Sequence, residues 1–571
     1  VGGLKTIDIR SMGTNHMGVF YDGIQLGNAQ NGLVDLGRFS LENVEEIALY
    51  NGQKAQIFQP ARDFGTSGSV YIRTRRPRFK EGKAYNLRTS IKGGSFGLIN
   101  PSLTWEQRWS RDISSSLSAD YTHATGKYEF RYRRVLPSGD VAWDTTAVRQ
   151  NGDIHALRLE ASVFGNTHDG TWNAKVYYYD SERGIPGAIV SNVWKHAQRQ
   201  WDRNFFVQGQ WTKHVSSRYK FQVNGKYAND HLRYLNPDTT LMYQDDRFLQ
   251  QELYLSTAHH VEILPGWQAN LSADYQYNTL SASLPQFAYP QRHTLLLALA
   301  SQYEYRRFRA MASLLGTNVW DRTSQGSVSG RTGNFLNRWT PSLYLSYKPL
   351  SHSDDLSLRA FYKSIFRLPT FNDLYYTDMG NAYLKPETAI QYNVGILYDL
   401  VQEKSWFKYF KIGADAYYNN VKDKIIAYPK GQQFRWTMLN LGRVKIMGVD
   451  AQLGMTFGLP YDIDLTTKLQ YTYQEAIDVT NPADNYYGHQ IPYIPWHSGS
   501  AVVMLDWRGW HLNYSFIYVG ERYNQQENII YNYTQPWYTH DLSVFGEWDI
   551  KPLASSPHRL SPIVLRVALD I

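Results

Sequence analysis

A chain of 571 residues with 44 Tyr, 17 Trp and 24 Phe and only 19% charged residues is too large for a small stapled scaffold and too aromatic for disorder. A mean hydropathy of -0.48 and the lack of any long apolar run exclude spanning helices, but not spanning strands, whose apolar residues alternate with polar ones. Zero Cys removes disulfides, thiolate metal sites and Cys nucleophiles together, and the net charge of +8 is dispersed, without the basic run that a nucleic-acid partner needs.

The chain starts Val1-Gly2-Gly3, with neither a basic nor an apolar leader region. Residues 1–78 hold short strand-like runs (Ile7 to Arg10, Val19 to Tyr21, Glu46 to Tyr50, Ser69 to Arg73) between Gly-rich turns, and read as a small α+β unit. From about residue 85 the signal has period two. In 267–277, Trp267, Ala269, Leu271, Ala273, Tyr275 and Tyr277 alternate with Gln268, Asn270, Ser272, Asp274 and Gln276. The same pattern recurs from Tyr219 to Tyr227, from Asp464 to Tyr473, and in 112–121, 155–163, 356–363 and 511–518.

These runs last about nine to eleven residues, the length a tilted strand needs to cross a bilayer, with rings at their ends where the interface lies. Tight links such as Ser110-Arg111-Asp112 and Leu264-Pro265-Gly266 alternate with long polar stretches such as 126–152, 180–203 and 475–495. Short turns on one side and long loops on the other describe an outer-membrane barrel. The expected fold is therefore an all-β transmembrane protein. Residues 79–571 supply an antiparallel β-barrel of about 22 strands, whose wide lumen the 1–78 unit fills as a plug domain.

Several stretches resemble the TonB-dependent outer-membrane receptors. Asp8-Ile9-Arg10-Ser11-Met12-Gly13, Phe20-Tyr21-Asp22-Gly23-Ile24-Gln25-Leu26, Leu41 to Ile47 and Gly65 to Thr74 are similar to successive plug motifs of that family. Phe366-Arg367-Leu368-Pro369-Thr370-Phe371-Asn372-Asp373-Leu374-Tyr375, Leu384-Lys385-Pro386-Glu387 and Asn440 to Asp450 are similar to its barrel motifs. Gln53 and the stretch Asp63-Phe64-Gly65 resemble the cobalamin-receptor-like branch of Bacteroidetes.

The resemblance implies a bacterial outer-membrane location, no enzymatic activity, and import of a scarce nutrient energised by TonB through a TonB box that would precede Val1. It implies a corrinoid such as cobalamin as ligand, with ferric siderophore and haem as alternatives; 366–387 holds no His for haem. A passive porin or adhesin is the rival class. Leu565 to Ile571 resembles a penultimate strand, so cropping is expected at both ends. Whether a surface lipoprotein caps the barrel is not legible in the sequence.

No P-loop, HExxH or EF-hand pattern occurs, and no catalytic, metal or cofactor site is expected among the 16 scattered His. His123 and His155 read as interface or lumen residues, and His352 with Asp354-Asp355 as a charged turn. The resemblance implies two substrate-facing plug apices. Asn28, Gln30, Asn31 and Leu33 lie in the first and Gln56, Phe58, Gln59 and Arg62 in the second; the amides of the first both donate and accept. Arg73, Arg75, Arg76 and Arg78 are expected to pair with lumen carboxylates such as Asp274 or Glu160, or with lipid.

Overall fold

A computed structural model describes residues 2–135, 140–187, 196–239, 243–324, 335–376, 379–402, 405–429, 436–550 and 563–570. Ile571 and parts of several long connections lie outside them. The N-terminal segment forms one small mixed sheet of β1 (Met17–Tyr21), β2 (Ile24–Gln25), β3 (Val44–Asn51) and β4 (Gly68–Thr74), in the order β2-β1-β4-β3. β1 runs parallel to β4, and β3 antiparallel to it.

Asp22 and Gly23 join β1 to β2 with positive φ at both positions (49° and 85°), the two-residue hairpin geometry that an Asp-Gly pair favours. The Asp22 carboxylate then accepts from the Thr74 amide and hydroxyl, both at 2.7 Å, which ties the hairpin to the end of β4. The helical part of this unit consists of short 3-10 turns such as Leu36–Arg38 and Ala61–Gly65; the α+β expectation thus holds only for its strands.

From Tyr85 onward the long strands join one continuous sheet, with two small hairpins in its connections. Among the described residues it contains twenty-one strands, each antiparallel to its predecessor in the sheet, and the order closes where Ile563–Asp570 pairs in parallel with Tyr85–Gly94. Pro265-Gly266 makes a two-residue link at which Leu264 pairs with Trp267; Gly266 has φ +80°, and a Cβ there would lie 2.4 Å from the Glu304 carbonyl oxygen. Such links alternate with long connections. The longest, 125–153, carries its own hairpin of Tyr128–Val135 with Val141–Arg149. Several strands outrun the expected length, up to the 24 residues of Trp436–Leu459. A bilayer needs only about ten, so the excess continues the wall past the membrane on the long-connection side.

Alternation sorts the wall as expected. Leu117, Leu255, Leu271, Leu299 and Val394 face out, and Trp109, Trp267, Tyr347, Trp507 and Trp510 ring the short-turn end. Ser118, Asp120, Glu160, Lys175, Lys226, Glu252, Asn270 and Asp274 face in and are buried. They are buried because the N-terminal unit covers them. Val19, Tyr21, Phe39, Val70 and Ile72 pack with the wall residues Tyr177, Tyr179 and Phe206, while Ile57 and Phe64 pack with Leu296, Ala298, Met311 and Leu315.

Candidate functional site

Buried charge pairs tie the N-terminal unit to the wall. Arg10 meets Asp450 at 2.8 Å and stacks 4.2 Å over the Tyr417 ring. Asp35 meets Arg183 at 3.0 Å, and Asp22 meets Lys175 at 2.7 Å. Lys175 also pairs with Glu160, which accepts from the Tyr21 hydroxyl and, at 2.8 Å, from Asn43. On another side His16 Nε2 lies 2.8 Å from Glu387 Oε1, and the Ile425 amide donates to the other oxygen at 3.1 Å. Arg367 and Lys424 approach Glu387 at 3.4 and 3.7 Å, and Arg367 also holds Asp373 at 2.7 Å. The barrel motifs thus carry the wall side of this cluster. Asp373 is also the N3 residue of a capping box with Thr370 that starts α1 (Phe371–Tyr375).

α1 clamps the first predicted apex. The Phe371 and Asn372 amides donate to the Ala29 and Gln30 carbonyls, both at 2.8 Å. Asn28 serves its own turn: its Oδ1 accepts from the Gln30 and Asn31 amides at 3.1 Å, and its Nδ2 donates to the Leu33 carbonyl at 3.0 Å. Gln30 is buried, with its amide on Gln250 Oε1 at 2.7 Å. Asn31 and Leu33 instead line a cavity of about 410 Å³ together with Arg38, Phe96, Tyr128, Gln200 and Leu232. Phe96 and Tyr128 belong to long-side connections, so this cavity lies at the long-connection end.

The second apex lies elsewhere. Phe58 packs against His260 and under the Lys220 ammonium, and the Gln59 carbonyl accepts from Asn270 at 3.3 Å. These wall residues adjoin the short links 215–218 and 265–266. Gln59 is buried and Gln56 exposed. Arg62 is half-buried and sits deeper in the lumen, its guanidinium 3.5 Å from Glu252 and 5.1 Å from the Tyr254 ring centroid. It lines a second cavity, of about 260 Å³, with Gly27, Asn28, Asn278 and Arg367. Gln56 to Gln59 are therefore separated from the first apex along the lumen, toward the short-turn end, whereas Arg62 shares a cavity with Asn28.

Among the described residues, no ion pair joins Arg73, Arg75, Arg76 or Arg78 to a lumen carboxylate. Arg73 pairs with Glu46 at 3.0 Å and Arg78 with Glu45 at 2.7 Å, while Arg76 lies over the Phe164 ring. Asp274 is already engaged by the Ala61 and Arg62 amides and the Tyr254 and Ser256 hydroxyls. His352 stays in a turn where Asp354 pairs with Lys348 at 2.9 Å. Beneath β4, burial pushes the Asp63 carboxyl up to about 7 even though the Lys54 ammonium opposes the shift; Tyr71 donates to it at 2.8 Å.

The residues that sequence reasoning missed are His16, Asp35 and Arg38. Each is a single polar residue in a non-alternating segment, and nothing local marks it as a partner of a wall residue more than a hundred positions away. Arg367, Asp373 and Glu387 were visible as motif members, though not as a charge cluster.

Among known proteins, two that are each called "Vitamin B12 transporter BtuB" are similar. The one from Vibrio vulnificus is 23% identical over 459 residues, 79% of this chain and 66% of that protein; the other, from Photobacterium profundum, is 22% identical over 552 residues, 92% and 77%. The chain thus spans slightly less than two thirds of the first relative. The solved "Copper transporter OprC" shares the fold with a TM-score of 0.72 at 13% identity, over 94% of this chain and 83% of that one. The family described as "TonB dependent receptor-like, beta-barrel" matches residues 41–567; the chain belongs to it, as an outer-membrane protein of a Gram-negative cell.

Proposed function

We propose that the chain is a plugged importer, with residues 1–78 as plug and 79–571 as the wall of a barrel of about 22 strands in the whole protein. It takes a large scarce nutrient from outside and admits it when TonB acts on the plug. The observation that carries this reading is the set of buried ion pairs from Arg10, Asp22 and Asp35 to the wall, with the hydrogen bond between His16 and Glu387. A passive pore needs an open lumen, whereas here a folded unit is pinned across it. Polar pins suit a plug that must stay put yet move under force: removing one partner of a buried pair costs about 3–5 kcal/mol, while the pairs add little net stability over an apolar contact.

The ligand class is a corrinoid. The plug motifs and the two vitamin B12 transporter relatives support it, and a ferric siderophore is the alternative. Contact is made by Asn31 and Leu33 in the cavity at the long-connection end, with Asn28 shaping the loop. The test is the visible spectrum of purified protein after incubation with cobalamin or ferric siderophores and desalting. Corrinoid bands retained at one per protein support the reading. Retention of a ferric complex alone replaces the ligand class, and large conductance of the untreated protein in planar bilayers removes the plugged importer.

A further inference from the structure

The strands Ile113–Ala124 and Ile154–Thr167 pair antiparallel, with His123 directly opposite His155. Tyr121, two residues from His123, shares their face. Ser118, Asp120, Ala156 and Arg158 are buried toward the lumen, so alternation sets Tyr121, His123 and His155 on the outside of the wall. His155 is the second residue of its strand and His123 the last but one of its own. Both stand at the end where the long connection 125–153 leaves the wall. That places them in the wet headgroup zone rather than in hydrocarbon.

The ring nitrogens converge. His123 Nδ1 is 3.3 Å from His155 Nδ1, and the Tyr121 hydroxyl is 3.2 Å from the same His155 nitrogen. Two imidazole nitrogens bound about 2.0–2.1 Å from one tetrahedral ion stand roughly 3.3–3.4 Å apart, so an ion could enter with little side-chain movement. Other Tyr–His contacts on the wall set the baseline. Tyr275 with His293 (2.8 Å) and Tyr471 with His497 (2.7 Å) are ordinary ring hydrogen bonds to a single imidazole. Among the described residues no three His, Cys, Asp or Glu gather at metal-binding spacing, and the third donor here is a phenol.

We propose that Tyr121, His123 and His155 bind one divalent transition-metal ion of the Cu²⁺, Ni²⁺ or Zn²⁺ class. Imidazole nitrogen suits these ions, and their affinity for such donors is highest for Cu²⁺. Water or headgroup oxygens complete the coordination. The ion bridges the two strands that flank the connection 125–153, and so clamps the base of its hairpin. This site is independent of the imported nutrient.

The test uses the purified protein in detergent, without a polyhistidine tag, titrated with Cu²⁺ and Zn²⁺ by calorimetry, with electron paramagnetic resonance of the copper form. The expected result is one site whose copper spectrum shows coupling to two nitrogens and whose occupancy raises the unfolding temperature. His123→Ala and His155→Ala each weaken it at least tenfold, about 1.4 kcal/mol. His497→Ala, at a single-imidazole contact, leaves it unchanged. Absence of a stoichiometric site in the unaltered protein, or equal affinity in the double variant H123A/H155A, overturns the proposal and leaves only a hydrogen-bonded imidazole pair.

Discussion

Leu271 and Ser272 are neighbours with opposite surroundings: 57% of Leu271 is exposed on the outer face, whereas Ser272 is 1% exposed on the inner one. Leu271→Arg should destabilise the barrel by about 2–4 kcal/mol if it lies near the midplane, read as loss of heat-modifiable migration at lower denaturant. Alternation alone makes Ser272→Arg mild, as a lumen substitution. The structure changes that prediction, because the segment Gln59 to Arg62 covers this part of the wall. Ser272→Arg should leave the barrel heat-modifiable while making the plug protease-sensitive; a plug as resistant as before would contradict the packing described.

Asp63 supplies a pH test with a definite sign. Its carboxyl rises from 3.8 to about 7 because burial penalises the charged form. Folding therefore favours the protonated group. That contribution is complete below the unfolded value and is lost as pH rises through the folded one, so the window is roughly pH 4 to 7. Asp63→Asn keeps an acceptor for Tyr71 and removes the titration. The unfolding temperature of the variant should gain on that of the unaltered protein across this window, and a difference that stays flat with pH would contradict the assignment.

At the scale of elements, the loop Gly27–Val34 and α1 act as one unit. Asn28→Ala removes three hydrogen bonds within the turn and should cost about 1–3 kcal/mol of local order, seen as faster amide exchange from Gln30 to Leu33. Leu33→Ala should instead weaken ligand binding about tenfold with exchange in the loop unchanged, since Asn31 Oδ1 still accepts from the amide of residue 33. Glu387→Gln leaves Arg367, Lys424 and His16 without their shared anion, and should free the plug for proteolysis by an amount on the order of 3–5 kcal/mol. Intact protection would show that the cluster does not hold the plug.

The same elements show what could be read from the chain. The Asp22-Gly23 hairpin and the Thr370 capping box are local, and their residues announce them. The outward row of Leu271 and Tyr275 is legible because a one-residue slip would reverse both faces of the strand. The depth of Phe58 and Gln59 was not legible. It depends on which wall residues, about 160 to 210 positions away, meet the loop, and no periodicity records that register. His123 opposite His155 was hidden for the same reason: the pairing spans the connection 125–153.

At the scale of the whole molecule, an outward apolar band, an aromatic ring at the short-turn end and a lumen filled by a pinned sheet are what the proposed importer needs at rest. The polar contacts that pin the N-terminal unit are distributed around the wall, from Asp450 through Glu387 to Arg183, so no single one is the latch. A pull on the plug from the short-turn side must break several of them. Energised passage through the proposed importer is measured by uptake of radiolabelled cobalamin in cells making this protein as their sole receptor. Accumulation is expected in cells with a working TonB and only surface binding in cells without it; equal accumulation in both would overturn energised import.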